Sequence, residues 1–262
     1  MFCPPLTITF LGTGTSTGVP MIACTCAVCT SADEKDKRFR SSIMVQSEKT
    51  TIIVDTTPDF RSQMLRSKVN KVDAILITHH HKDHIAGLDD IKAYTYFQGT
   101  AMNVYGSKIT QDALHREFSY VFAEHKYPGI PEIRLHDIPD STFMVGDIPV
   151  SPINVLHHKM PVLGFRFGKF TYITDANFIE DGEKKKIESS EVLVLNALRL
   201  HKHLSHFTIQ EAIDLADEMK IPQAYFTHLS HQLGKHEEVS LTLPEGRALA
   251  YDLLCLQFDS SL

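Results

Sequence analysis

DAILITHHHKDHIAGL, running from Asp73 to Leu88, joins an apolar run to a loop crowded with histidine and aspartate. Asp73 to Thr78 reads as a buried strand, because Ala74, Ile75, Leu76 and Ile77 follow one another with no polar break. Beyond it His79, His81, Asp83 and His84 stand in the order H-x-H-x-D-H. No other phase works: starting at His80 would put Lys82 and His84 at the next two positions, so His80 is the spacer. In an extended turn residues two apart point the same way, so His79 and His81 grip one metal together. Asp83 and His84 then face a neighbouring site about 3.5–4 Å away, the separation of two-metal hydrolases. Imidazoles and carboxylates packed this densely repel and lose solvation unless a cation joins them.

Outward from this loop, short β-branched runs alternate with amphipathic stretches. LTITFLG, SIMVQS, TTIIVD, MNVYG, PVSPINV, GFRFG, FTYIT, EVLVLNA and AYFTH read as further strands, and PDFRSQMLR, SKITQDALHREFSYVF and FTIQEAIDLADEMK as helices. The last opens with Thr208 and Glu211 at capping-box spacing. No repeat, low-complexity tract or linker divides the 262 residues, and 43% hydrophobic content fills a sizeable core, so one α/β domain is expected. A formal charge of -6 argues against a protein built to coat nucleic acid. With no signal-like start and no long apolar segment, a soluble cytoplasmic protein that does not enter a membrane is the expectation.

Three cysteines crowd into CTCAVC at Cys24, Cys26 and Cys29, while Cys3 and Cys255 stand apart in sequence. In a reducing compartment such a cluster reads as metal-binding, yet a tetrahedral zinc needs a fourth ligand.

THHHKDHIAGL resembles the signature of the metallo-β-lactamase-fold hydrolases. FLGTGTSTGVP, CTCAVC, RFRSS, IIVDTTPDF, VLHHKMPVLGFRFG, YITDANFI, SHFTIQEA and THLSHQ narrow the resemblance to the PhnP-type phosphodiesterases. The likeness runs from Leu6 to about Leu243. It implies a four-layer αββα sandwich and a binuclear site, with His79, His81 and His157 on the first metal, Asp83, His84 and His228 on the second, and Asp175 bridging. His158 is an equally good imidazole beside His157, and only the family motif favours His157. The resemblance also makes His231 the partner of Cys24, Cys26 and Cys29 in a closed, structural zinc site that ties down a loop at about 12–42. His206 lies outside both metal sets and is implied as the group that binds phosphate and protonates the leaving oxygen; without it, metal-bound water or Asp83 is left as the donor.

The expected activity is hydrolysis of a small, linear or cyclic phosphodiester with two divalent ions, zinc or manganese, at the active site. A tRNA 3′-processing endonuclease shares this ligand set but needs an RNA-gripping arm, and no long basic insertion is visible. A metal-buffering or metal-sensing protein has no use for Asp175 or His206. A homodimer is compatible with the sequence. Asp55 at the end of IIVD either orients a metal-bound histidine or caps the next turn, Asp89 and Asp90 either begin a solvated helix or hold the histidine loop in place, and EKKK at Glu183 to Lys186 is a solvated helix face.

Overall fold

The computed structural model describes residues 2–125 and 127–260. Its strands are β1 (Leu6–Gly12), β2 (Ser42–Gln46), β3 (Thr51–Val54), β4 (Ala74–Leu76), β5 (Met102–Gly106), β6 (Ile133–Asp137), β7 (Phe143–Val145), β8 (Ile148–His157), β9 (Met160–Phe167), β10 (Phe170–Tyr172), β11 (Val192–Asn196), β12 (Gln223–Thr227), β13 (Arg247–Leu249) and β14 (Cys255–Phe258). The α-helices are α1 (Phe60–Ser67), α2 (Lys82–Ile85), α3 (Lys92–Gln98), α4 (Lys108–Glu117), α5 (Asp181–Ile187), α6 (Ile209–Glu218) and α7 (His236–Ser240). They form two seven-stranded sheets, ordered β14-β1-β2-β3-β4-β5-β6 and β13-β12-β11-β10-β9-β8-β7.

Alternation along the strands produces the layers. Ile8, Phe10, Ile43, Val45, Ile52, Val54 and Leu76 of the first sheet meet Val150, Phe165, Phe167, Phe170, Tyr172 and Val194 of the second in a core between the sheets. The intervening Leu11, Met44, Ile53 and Ile75 point the other way and pack with Phe60, Met64, Tyr94 and Leu114 of the helices on that side. Leu193 and Leu195, flanking Val194, pack with Ile209, Ala212, Ile213 and Ala216 of α6 on the opposite side. Strands buried on both faces read as continuous apolar runs, which is why they were legible. Phe165 is fully buried between the sheets; its replacement by Ala would cost about 3–5 kcal/mol. The expected αββα sandwich in one domain is what forms.

Strand direction positions the site. β3 and β4 are parallel. β8 and β10 both run antiparallel to β9, while β10, β11 and β12 are mutually parallel. The C-terminal ends of β8, β10 and β12 therefore share one edge. Two elements depart from expectation. The stretch after Ser107 is helical only to Glu117, and a separate 3-10 turn covers Ser119–Val121. The strand expected over Asp73 to Thr78 is regular only for three residues. No helix among the described residues is long and apolar enough to cross a membrane.

Candidate active site

Each expected ligand of the binuclear site sits at or just past the end of a strand. His79 and His81 follow β4, with Asp83 and His84 in the short α2; His157 closes β8; Asp175 follows β10; His228 follows β12. The chain turns sharply there: Asp55, Asp175 and His228 hold left-handed backbone, with φ of 68°, 53° and 56°. Such conformations cost about 1–3 kcal/mol each in a non-glycine residue and concentrate at functional sites.

Neighbouring groups dictate which ring nitrogen carries the proton. Thr78 Oγ1 donates its one hydrogen to Asp55 Oδ2 at 2.9 Å, so it can only accept from His79 Nδ1, 3.0 Å away. Asp55 Oδ2 also accepts from His84 Nδ1 at 2.7 Å, and the carbonyl of Ser205 accepts from His157 Nδ1 at 2.8 Å. Three imidazoles thus turn Nε2 towards the cluster. Of the two roles open to Asp55, orientation of a histidine is the one the geometry has.

The buried atoms left without hydrogen-bond partners include His79 Nε2, His84 Nε2, His206 Nδ1 and both ring nitrogens of His228. The Nε2 atoms of His84 and His228 are close to carboxylates all the same. His84 Nε2 lies 3.0 Å from Asp175 Oδ2 and 3.2 Å from Asp83 Oδ2, and His228 Nε2 lies 3.2 Å from Asp175 Oδ1 and 3.6 Å from Asp83 Oδ2. Ligands about 2.1 Å from a tetrahedral ion stand about 3.4 Å apart, so these separations fit atoms converging on one cation. Ligand atoms of Asp83, His84, Asp175 and His228 all lie within 4.8 Å of one another.

Charge supports the same fit. Burial opposes ionisation of Asp175, but His228 and His84 overcome it and hold its carboxyl well below the usual carboxylate range. Burial likewise works against His84, yet Asp83, Asp175 and Asp55 raise its pKa well above the ordinary value. His79, by contrast, is pushed well down by burial and by His84.

On the other flank, His79 and His81 stand with ring centroids 4.7 Å apart, and His157 lies 5.9 and 5.3 Å from them. His206 joins this flank: its ligand atom falls within 4.8 Å of those of His157 and Asp175. Its ring is 4.5 Å from His157 and stacked 4.8 Å from His228, with Nδ1 3.6 Å from Asp175 Oδ1. Burial, then the charge of His228, pushes its pKa down to about 3. His158 is exposed and left-handed (φ 58°), tied by its backbone N–H to Asn177 Oδ1 at 2.6 Å, so of the adjacent pair it is His157 that faces the cluster.

The cysteine question resolves at the loop after His228. His231 Nδ1 is 3.3 Å from the sulfurs of both Cys24 and Cys26, and the four ligand atoms of Cys24, Cys26, Cys29 and His231 lie within 4.8 Å of one another. A Zn–S bond of about 2.3 Å places sulfurs about 3.8 Å apart in a tetrahedron, which this group accommodates. The backbone N–H of Cys29 and then His231 draw the Cys26 thiol down to about 6, while burial pushes Cys29 up to about 11.

Sequence reasoning passed over Thr78, Ser205 and Asn196, whose side-chain amide brackets the backbone of Ala176 beside Asp175 at 2.7 and 2.9 Å. They act through backbone groups or hydroxyls, which leave no mark in ligand spacing. His203 was also missed, although HKHLSH contains three histidines.

Residues 50–229 match the model of the β-lactamase superfamily domain, well over half of the chain. The crystal structure of a diphosphatase from the PhnP family superposes with a TM-score of 0.92 at 38% identity, covering 98% of each chain. An octanoyltransferase of Porphyromonas gingivalis is 38% identical over 92% of this chain and 49% of its own length, and a ribonuclease Z of a Nostoc species is 28% identical over 61% of this chain and 45% of its own. The chain thus spans about half the length of these curated relatives. By its domain match, and by its likeness along nearly its whole length to a PhnP-family structure, this chain belongs to the β-lactamase superfamily and, within it, to the PhnP family.

Proposed function

We propose that the protein is a metal-dependent phosphodiesterase acting on a small, linear or cyclic phosphodiester. The observation that carries this reading is the convergence of unpartnered imidazole nitrogens on the carboxylates of Asp83 and Asp175. His79, His81 and His157 would hold one divalent ion and Asp83, His84 and His228 the other, with Asp175 shared between the two sets. When bound, two such ions supply Lewis acidity towards the phosphoryl oxygens and lower the pKa of water. Zinc and manganese both suit this mixed nitrogen and oxygen set.

The chain's own groups do the rest. The Asp175 carboxylate, ionised and fixed by the Thr174 hydroxyl at 2.9 Å, orients the attacking water. His206 delivers the proton that the departing oxygen needs. Its low pKa without substrate does not oppose this role, because an anionic phosphoryl group beside the ring favours the charged form and His206 takes up its proton with the substrate. Cys24, Cys26, Cys29 and His231 hold a structural zinc with no open position.

The diphosphatase neighbour supports a small substrate, and the ribonuclease Z relative supports phosphodiester chemistry. The discriminating experiment is a panel of linear, cyclic and phosphoanhydride diesters together with a precursor tRNA, assayed on metal-reconstituted protein. Turnover of a small diester with the tRNA left intact is expected; cleavage of the tRNA alone would overturn the proposal in favour of the endonuclease reading.

A further inference from the structure

Ser205 stands between three histidines and treats two of them oppositely. Its carbonyl accepts from His157 Nδ1, as described. Its backbone N–H donates to His203 Nδ1 at 3.3 Å, and its hydroxyl, at the same distance from that nitrogen, can donate to it too. An amide N–H can only donate, so His203 Nδ1 is bare and the proton of the neutral ring lies on Nε2. Burial and then the charge of Arg199 lower the pKa of His203, which keeps the ring neutral.

The ring lies 5.1 Å from that of His206, one ring further from the metal cluster, and is half-buried. Its segment is anchored despite its exposure. Arg199 donates to the carbonyls of His201 and Lys202 at 3.1 Å each and to Gln232 Oε1 at 2.9 Å, and Asn177 Nδ2 donates to the carbonyl of Leu204 at 3.2 Å. A donor with a set tautomer on a tied segment beside the proton-delivering histidine is placed for the leaving group rather than for the scissile phosphoryl.

We propose that His203 is a substrate-binding residue whose Nε2–H donates to an anionic oxygen, phosphate or carboxylate, carried by the leaving group a few bonds beyond the ester oxygen. Arg199 contributes a positive field there, and its fork is spent on holding the segment. The inference rests on the phosphodiester reading of the site, with hydrolysis as above: the water oxygen bonds to phosphorus, the bond to the leaving oxygen breaks, and the proton goes to that oxygen.

The test uses methyl diesters of phenol, 3-carboxyphenol and 3-phosphonooxyphenol with wild-type, His203→Ala and His203→Gln proteins of equal melting temperature. His203→Ala should lower kcat/KM by about 10- to 100-fold, mainly through KM, for the carboxylated or the phosphorylated substrate, the worth of a hydrogen bond to a charged group, and by less than about twofold for the phenol diester. Which charged substrate suffers more identifies the group bound. His203→Gln, which keeps an amide donor at a similar reach, should recover most of the loss. An equal loss on all three substrates overturns the inference. So does a nitrogen-15 spectrum with the His203 proton on Nδ1. If the wild type hydrolyses none of the three, the phosphodiester reading fails by itself. Inorganic phosphate then decides for His203: its Nε2–H resonance should shift on titration, and an unmoved signal overturns the assignment.

Discussion

His206 and Asp55 both stand beside the cluster, Asp55 hydrogen-bonded to His84 at 2.7 Å and His206 3.6 Å from Asp175, and they make opposite predictions. His206→Ala removes no proposed ligand, so the protein should fold and keep its metals, while the chemical step slows by about 10²–10⁴-fold. The loss should be smaller for a nitrophenyl diester, whose anion departs without protonation, than for an alkyl diester of matched size. Equal single-turnover ratios would remove His206 from the acid role, and loss of a metal ion would make it a ligand, as its closeness to His157 and Asp175 permits. Asp55→Ala should act through metal rather than rate. It frees His84 Nδ1 and the hydroxyl of Thr78, and losing such an outer partner weakens metal affinity by about 10- to 100-fold. A chelator competition that gives wild-type affinity would refute this. Because Asp83, Asp175 and Asp55 raise the pKa of His84 against its burial, proton and metal compete for its ring, so affinity should tighten as pH rises.

The elements most visible in the sequence are those buried on both faces. β3, β9 and β11 are apolar at nearly every position, and the ligands at strand ends carry the one spacing that a metal imposes. β6, β7, β13 and β14 escaped because each is the edge strand of its sheet, short, and partly exposed. The helix expected past Glu117 stops because Phe118 leaves helical backbone (φ -119°, ψ 42°). The 12–42 loop was expected to depend on zinc for its order. The structure adds a second anchorage: Arg38, 6% exposed, donates to Thr13 Oγ1 at 2.8 Å and the carbonyl of Ala250 at 2.6 Å, and lies 3.0 Å from His236 Nδ1. Cys26→Ala should therefore lower Tm and remove one zinc while leaving a folded protein, since metal binding at a closed site adds to folding stability. A Tm equal to that of the parent would end the structural role.

Across the whole molecule, the Arg38 anchorage joins the N-terminal loop, α7 and the segment before β14, and it sets a pH dependence with two opposed parts. Burial raises Asp252 from 3.8 to about 6, so its contribution is full below 3.8 and is lost as pH rises through 6. Burial and Arg38 lower His236 from 6.5 to about 4, so its contribution is full above 6.5 and is lost as pH falls through 4. Between about pH 4 and 6 they offset each other. The Tm deficit of His236→Gln relative to wild type should grow from pH 4.5 to 6, and that of Asp252→Asn should shrink; parallel curves would show that neither group titrates differently on folding. The central claim, however, is that one chain carries a binuclear cluster and a separate closed zinc site, and stepwise chelation followed by elemental analysis tests it most directly. Fully loaded protein should hold about three ions per chain, two leaving first and together with phosphodiesterase activity, and a last zinc persisting; saturation at two ions, or activity that survives removal of all metal, would contradict the account.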